Sequence, residues 1–187
     1  MAQRIYIVRH GETEWSLSGQ HTSHTDLPLT DGGREQAEFL GEKLAGQEFG
    51  LVLSSPLRRA VETCRLAGFG DQVQLCDDLH EWDYGDYEGL TTPQIREHSP
   101  NWDLWQQGCP GGESPDQIGG RLDRLLERVR GTEGEVVAFA HGHSLRVLTA
   151  RWLQMPVAAG ARFRLAAAAV GVLGYERETE VIERWSV

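Results

Sequence analysis

Cysteine is scarce in this 187-residue chain. Cys64, Cys76 and Cys109 are too few and too far apart for a disulfide framework or a paired-cysteine metal site, and they read as buried or indifferent thiols. Positive charge is also in short supply. Eighteen lysines and arginines face 28 aspartates and glutamates, and the net charge of −10 argues against a surface for nucleic acid or for an anionic membrane. Any anionic substrate must therefore meet a local positive pocket. Long hydrophobic runs are missing: the longest, residues 165–175, cannot span a bilayer. Met1-Ala2-Gln3-Arg4 leads into the first strand without the apolar core of a signal peptide, so a cytoplasmic protein is expected. No internal repeat or low-complexity linker divides the chain, and no heptad argues for an oligomer, although a homodimer stays open.

What is present fits one domain, residues 1–187, with a sizeable core: 40% of residues are hydrophobic and 25% charged. Strand-like and helix-like runs alternate, which predicts an α/β fold, a three-layer α/β/α sandwich with a mostly parallel central sheet. Strands are expected near Ile5-Tyr6-Ile7-Val8, Leu51-Val52-Leu53 and residues 73–76 and 136–140, with two sheet-edge strands at 170–175 and 181–185. Helices are expected at residues 34–44 after an N-cap at Thr30, at 57–67 and at 145–153. The clearest helix starts at the capping box Ser114-Pro115-Asp116-Gln117. Ile118, Leu122, Leu125, Leu126 and Val129 should pack on the sheet, while Arg121, Asp123, Arg124 and Glu127 face water. Between Trp82 and Glu113 the pattern is least regular. Its aromatics, Trp82, Tyr84, Tyr87, Trp102 and Trp105, fit either a lid over a sugar or aryl group or a small satellite core.

Three strand-to-helix junctions carry chemistry. Val8-Arg9-His10-Gly11 brings an imidazole that can attack phosphorus, a guanidinium that can hold phosphoryl oxygens, and a glycine that lets backbone approach a ligand closely. His141-Gly142-His143-Ser144 follows the 136–140 run and opens a helix whose N-terminus favours an anion. His141 and His143 could instead be metal ligands, but no third ligand lies at a familiar spacing, and His143 reads better as a polar support or cap. Ser55-Pro56-Leu57-Arg58-Arg59-Ala60 places two arginines in a helix's first turn, against its dipole. That placement makes sense if one of them binds phosphate and the other is solvated.

These segments, with Leu79-His80-Glu81 and the following Gly85 and Gly89, resemble in order and spacing the histidine phosphatase superfamily, in its phosphoglycerate mutase-like branch. Residues 15–20, 81–89 and 108–114 look like those of bacterial acid phosphatases and fungal sedoheptulose-1,7-bisphosphatase. The resemblance implies a phosphoglycerate mutase-like fold in which residues from about 79 to 113 form an insertion covering the active site. It makes His10 the nucleophile, Glu81 the general acid and base, and Arg9, Arg59 and a protonated His141 the phosphate clamp, with Arg59 rather than Arg58 in the family's position. Ser16, Gly142, Tyr84 and Arg146 are the remaining candidates for substrate contact. Ser16 could equally cap a turn, Tyr84 pack in the core and Arg146 form a surface salt bridge.

The implied reaction needs no metal or other cofactor: a small phosphorylated metabolite is hydrolysed through a phosphohistidine. A glutamate titrating near pH ~4.3 would favour acidic conditions. A cofactor-dependent phosphoglycerate mutase is the alternative, but from Leu90 to Glu113 only Arg96 offers a fixed positive charge for a second phosphate, so water is the expected acceptor. A dedicated sugar bisphosphatase is a narrower version of the same activity. A non-catalytic phospholigand sensor on this fold would not need His10, Glu81, Arg59 and His141 together.

Overall fold

The computed structural model describes residues 3–187; Met1 and Ala2, part of the stretch read above as leading into the first strand, lie outside the described residues. Six strands form one sheet: β1 (Ile5–Arg9), β2 (Phe49–Ser54), β3 (Val73–Leu75), β4 (Glu135–Ala140), β5 (Val170–Glu176) and β6 (Thr179–Arg184). Their order is β3-β2-β4-β1-β5-β6. The pairs β3·β2, β2·β4 and β4·β1 are parallel, while β1·β5 and β5·β6 are antiparallel. The sheet is thus mostly parallel, as expected, with an antiparallel flank. Only β6 of the two C-terminal strands is an edge. β5 lies inside the sheet with its first five residues buried, which is why residues 170–175 read as an unbroken apolar run rather than an alternating one.

Side-chain alternation along the strands makes two cores. Tyr6, Val8, Val52, Val137 and Phe139 face α2 (Asp31–Lys43) and α3 (Arg58–Leu66), which contribute Leu40 and Cys64. Ile5, Ile7, Leu53, Val136 and Ala138 face the opposite way, toward α6 (Pro115–Arg130) and α7 (Gly142–Trp152). Helices therefore cover both faces. The predicted caps are in place: Thr30 Oγ1 accepts from Gly33 N, and Ser114 and Gln117 form the capping box that starts α6 with Pro115 in its first turn. The five predicted apolar residues of α6 are all buried.

Arg121 is buried with them, against expectation. Its guanidinium donates to the carbonyls of Asp78, His80 and Glu81 and forms a two-pronged ion pair with Glu113, at 2.7 and 2.9 Å. Satisfied donors are the physical reason a charge can sit there. Glu113 also accepts from Asp83 N, so this pair joins the helix to both ends of the irregular stretch. That stretch holds two short helices, α4 (Thr92–His98) and α5 (Leu104–Gln107). Its aromatics mostly fill core rather than forming a lid: Trp82 and Trp102 are buried, and their indole N–H groups donate to the carbonyls of Glu113 and Gly108. The three cysteines are buried and unpaired, and no helix among the described residues is long and apolar enough to cross a membrane.

Candidate active site

The parallel register places Arg9 opposite Ala140, so the chain leaves β1 and β4 side by side and His10 and His141 emerge together. His10 N donates to Ala140 O and Ser55 N to Phe139 O, which draws the third junction to the same sheet end. There lies a cavity of about 430 Å³. Sites at the carboxyl ends of parallel strands are the rule for such sheets.

His10 is buried at the cavity floor. Its Nδ1 lies 2.7 Å from the carbonyl oxygen of Gly11, which can only accept, so the ring proton sits on Nδ1 and Nε2 keeps its lone pair. Burial first, then the guanidinium groups of Arg59 and Arg9, hold its pKa well below the ordinary 6.5. Gly11 does not approach the cavity. The space left by its missing Cβ is taken by the Gly33 carbonyl at the start of α2, and its N–H donates to Thr63 Oγ1.

Arg9 lines the cavity, with Nη1 donating to Leu165 O at 2.7 Å and Nε left without a partner in a buried position. Such an orphaned charged donor fits an anionic ligand. Arg59 and His141 lie beneath the floor. The His141 ring centroid is 5.2 Å from that of His10, its Nδ1 accepts from Arg59 Nε at 3.2 Å, and its Nε2 lies 2.8 Å from Ser55 Oγ. Burial and the Arg59 charge push His141 well below 6.5, so it is neutral here and the positive charge of the site is carried by guanidinium groups, not by a protonated His141. Arg59 spends its remaining donors on the carbonyls of Thr22, Ser23 and Thr25, bracing the loop that forms one cavity wall. Arg58, its neighbour, is exposed.

Glu81 is buried on the wall. Its Oε1 accepts from Ser144 N at 2.7 Å and Trp82 N at 2.9 Å, and its Oε2 from His143 N at 2.9 Å. The anion expected at the N-terminus of α7 is therefore the protein's own carboxylate. Gly142 and Tyr84 line the cavity, and the Tyr84 hydroxyl lies 2.6 Å from His143 Nδ1, so Tyr84 both packs in the core and reaches the site. Arg146 lines it too, tied to the carbonyls of Gly160 and Ala161 and lying 4.5 Å above the Trp105 ring instead of forming a surface salt bridge. Ser16 borders the cavity but caps α1 (Glu14–Ser18), its hydroxyl donating to Thr13 O.

Sequence reasoning missed several lining residues. Arg164 is exposed and makes no ion pair among the described residues, and Trp15 and Leu17 form an apolar rim. His21 packs on Tyr84 with centroids 4.7 Å apart. His21 belongs to no strand-end motif, and its partners are distant in sequence, so no local signal marked it.

A family model described as the histidine phosphatase superfamily (branch 1) matches residues 5–187. An acid phosphatase of Mycobacterium tuberculosis is 45% identical over 179 residues, covering 92% of this chain and 87% of that protein. The sedoheptulose 1,7-bisphosphatase of Saccharomyces cerevisiae is 38% identical over 189 residues, covering 84% of this chain and 70% of that protein. A solved open-reading-frame product of Mycobacterium tuberculosis superposes with a TM-score of 0.92 at 42% identity, covering 99% of this chain and 97% of that one.

Proposed function

This chain belongs to the histidine phosphatase superfamily, and from that premise we propose that it is a metal-independent phosphomonoesterase acting on small phosphorylated metabolites. The observation that carries the reading is the state of His10: a neutral ring whose Nδ1 proton is committed to Gly11 O, leaving Nε2 as the free lone pair beside Arg9. A bare imidazole proton donor or a surface histidine would not be arranged this way. In the first step Nε2 forms a bond to phosphorus as the ester P–O bond breaks. The electron pair leaves with the alkoxide oxygen, which takes the proton of Glu81. In the second step the Glu81 carboxylate removes a proton from water, the water oxygen bonds to phosphorus, and the N–P electron pair returns to His10. Arg9 supplies a guanidinium to the phosphoryl oxygens throughout, and Arg59 reinforces the positive potential from below.

Hydrolysis is the reading we keep over mutase chemistry because the Leu90–Glu113 stretch brings no cation to the cavity: Arg96, its sole fixed cation, turns its Nε and Nη2 to the Trp102 carbonyl, which leaves Arg146 and Arg164 as the cations beyond the phosphoryl clamp. The decisive experiment is phosphate release in the presence of a chelator from a panel of phosphomonoesters, sugar bisphosphates and 3-phosphoglycerate, run on the wild type and His10→Ala. The wild type should turn over, His10→Ala should fall by more than about a thousandfold, and rapid alkaline quench should trap an acid-labile phosphoryl adduct on the peptide bearing His10. Unchanged release by His10→Ala would sink the assignment.

A further inference from the structure

His143 is absorbed by no step of the reaction just described, yet the structure invests heavily in its side chain. Its backbone N–H holds Glu81, which any residue but proline could do. The ring has separate partners. Tyr84 is buried, and its hydroxyl lies 2.6 Å from His143 Nδ1 with no other hydrogen-bond partner among the described residues, which favours the hydroxyl as the donor. In that arrangement the ring's own proton is on Nε2. Trp105, Tyr84 and His21 box the ring, with centroids 5.3, 5.9 and 6.0 Å away. The result is a neutral donor of fixed orientation, lining the cavity, whose Nε2 finds no partner among the described residues. Its Nδ1 is 4.0 Å from Glu81 Oε2, so the ring as a whole stands next to the group that protonates the departing oxygen, with Nε2 on its far side.

We infer that the Nε2–H of His143 donates a hydrogen bond to a hydroxyl of the leaving alcohol next to the ester oxygen, making His143 the residue that selects polyol phosphates over simple alkyl ones. The inference rests on the phosphatase reading. A neutral donor suits a hydroxyl oxygen, and an alcohol seated against Glu81 presents its neighbouring hydroxyl on that side. An ester without this hydroxyl would leave the fixed donor unpaired.

The test compares kcat/KM for glycerol 1-phosphate and n-propyl phosphate. The wild type should prefer the glycerol ester by about tenfold, the worth of one neutral hydrogen bond. His143→Phe should abolish that preference, with kcat/KM for the glycerol ester falling about tenfold further than for the propyl ester, and His143→Gln, whose amide can donate, should restore part of it. The double variant Tyr84→Phe/His143→Phe, which removes the orphaned hydroxyl, should show the same loss of preference and guards against a folding defect. Equal turnover of both esters by the wild type, or an equal fall for both in His143→Phe, would overturn the inference. So would turnover of p-nitrophenyl phosphate with neither alkyl ester accepted. A wild type inert toward all three would overturn this inference, while the phosphatase reading stands or falls separately on the wider panel of sugar bisphosphates and 3-phosphoglycerate.

Discussion

His10 is held neutral by burial and by two guanidinium groups, and that state has a kinetic signature. A solvent-exposed histidine loses its nucleophilic form as pH falls through about 6.5. With its pKa lowered, His10 keeps the lone pair below that point, so the acid limb of kcat/KM should lie clearly under pH 6.5. A pH–rate profile checks this, and an inflection near 6.5 on the acid side would contradict the environment described. At this scale the sequence was partly legible. Arg9, His10, Glu81 and His141 stand in motifs whose chemistry can be read from residue type alone, but their charge states cannot, because the pKa of His141 is lowered by burial and then by Arg59, 82 positions away along the chain.

At the scale of elements, α6 shows what periodicity reveals and what it hides. Its apolar stripe was readable, but Arg121, three residues after Ile118 and four before Leu125, lies on the border of that stripe, and the carbonyls of Asp78, His80 and Glu81 together with Glu113 decide that it turns inward. Arg124 on the same helix pairs with Asp78 yet keeps 65% of its side chain exposed, against 10% for Arg121. The two should behave differently. Arg121→Leu leaves the half-buried Glu113 without its partner and should cost about 2 kcal/mol in urea unfolding, with a fall in kcat because Glu81 O loses a donor. Arg124→Leu should cost less than about 1 kcal/mol. Equal costs would show that the Arg121 pair is not the brace of the 79–113 stretch. The β5 strand was misplaced for a related reason: an apolar run marks a buried strand but not its neighbours, and the pairing of β5 with β1 on one side and β6 on the other is decided by the tertiary fold.

For the whole molecule, four histidines, His10, His21, His141 and His143, are held below their ordinary pKa by burial, and the unfolded chain would protonate each near 6.5. Below that pH the unfolded state binds more protons than the native state, so stability rises with pH through this window and falls as pH drops. Each histidine that stays neutral should remove up to about 1.4 kcal/mol per pH unit below 6.5. Calorimetry should therefore find a lower Tm at pH 5.5 than at pH 7.5, and a Tm that rises on acidification would refute the buried neutral cluster. The seating of Glu81 has a different consequence. Main-chain amides hold its carboxylate, and amides are indifferent to the side chains they carry, so a library randomised at position 143, excluding proline, should retain the acid while varying what lies next to it. Such an arrangement lets leaving-group preference drift during evolution without passing through inactive intermediates.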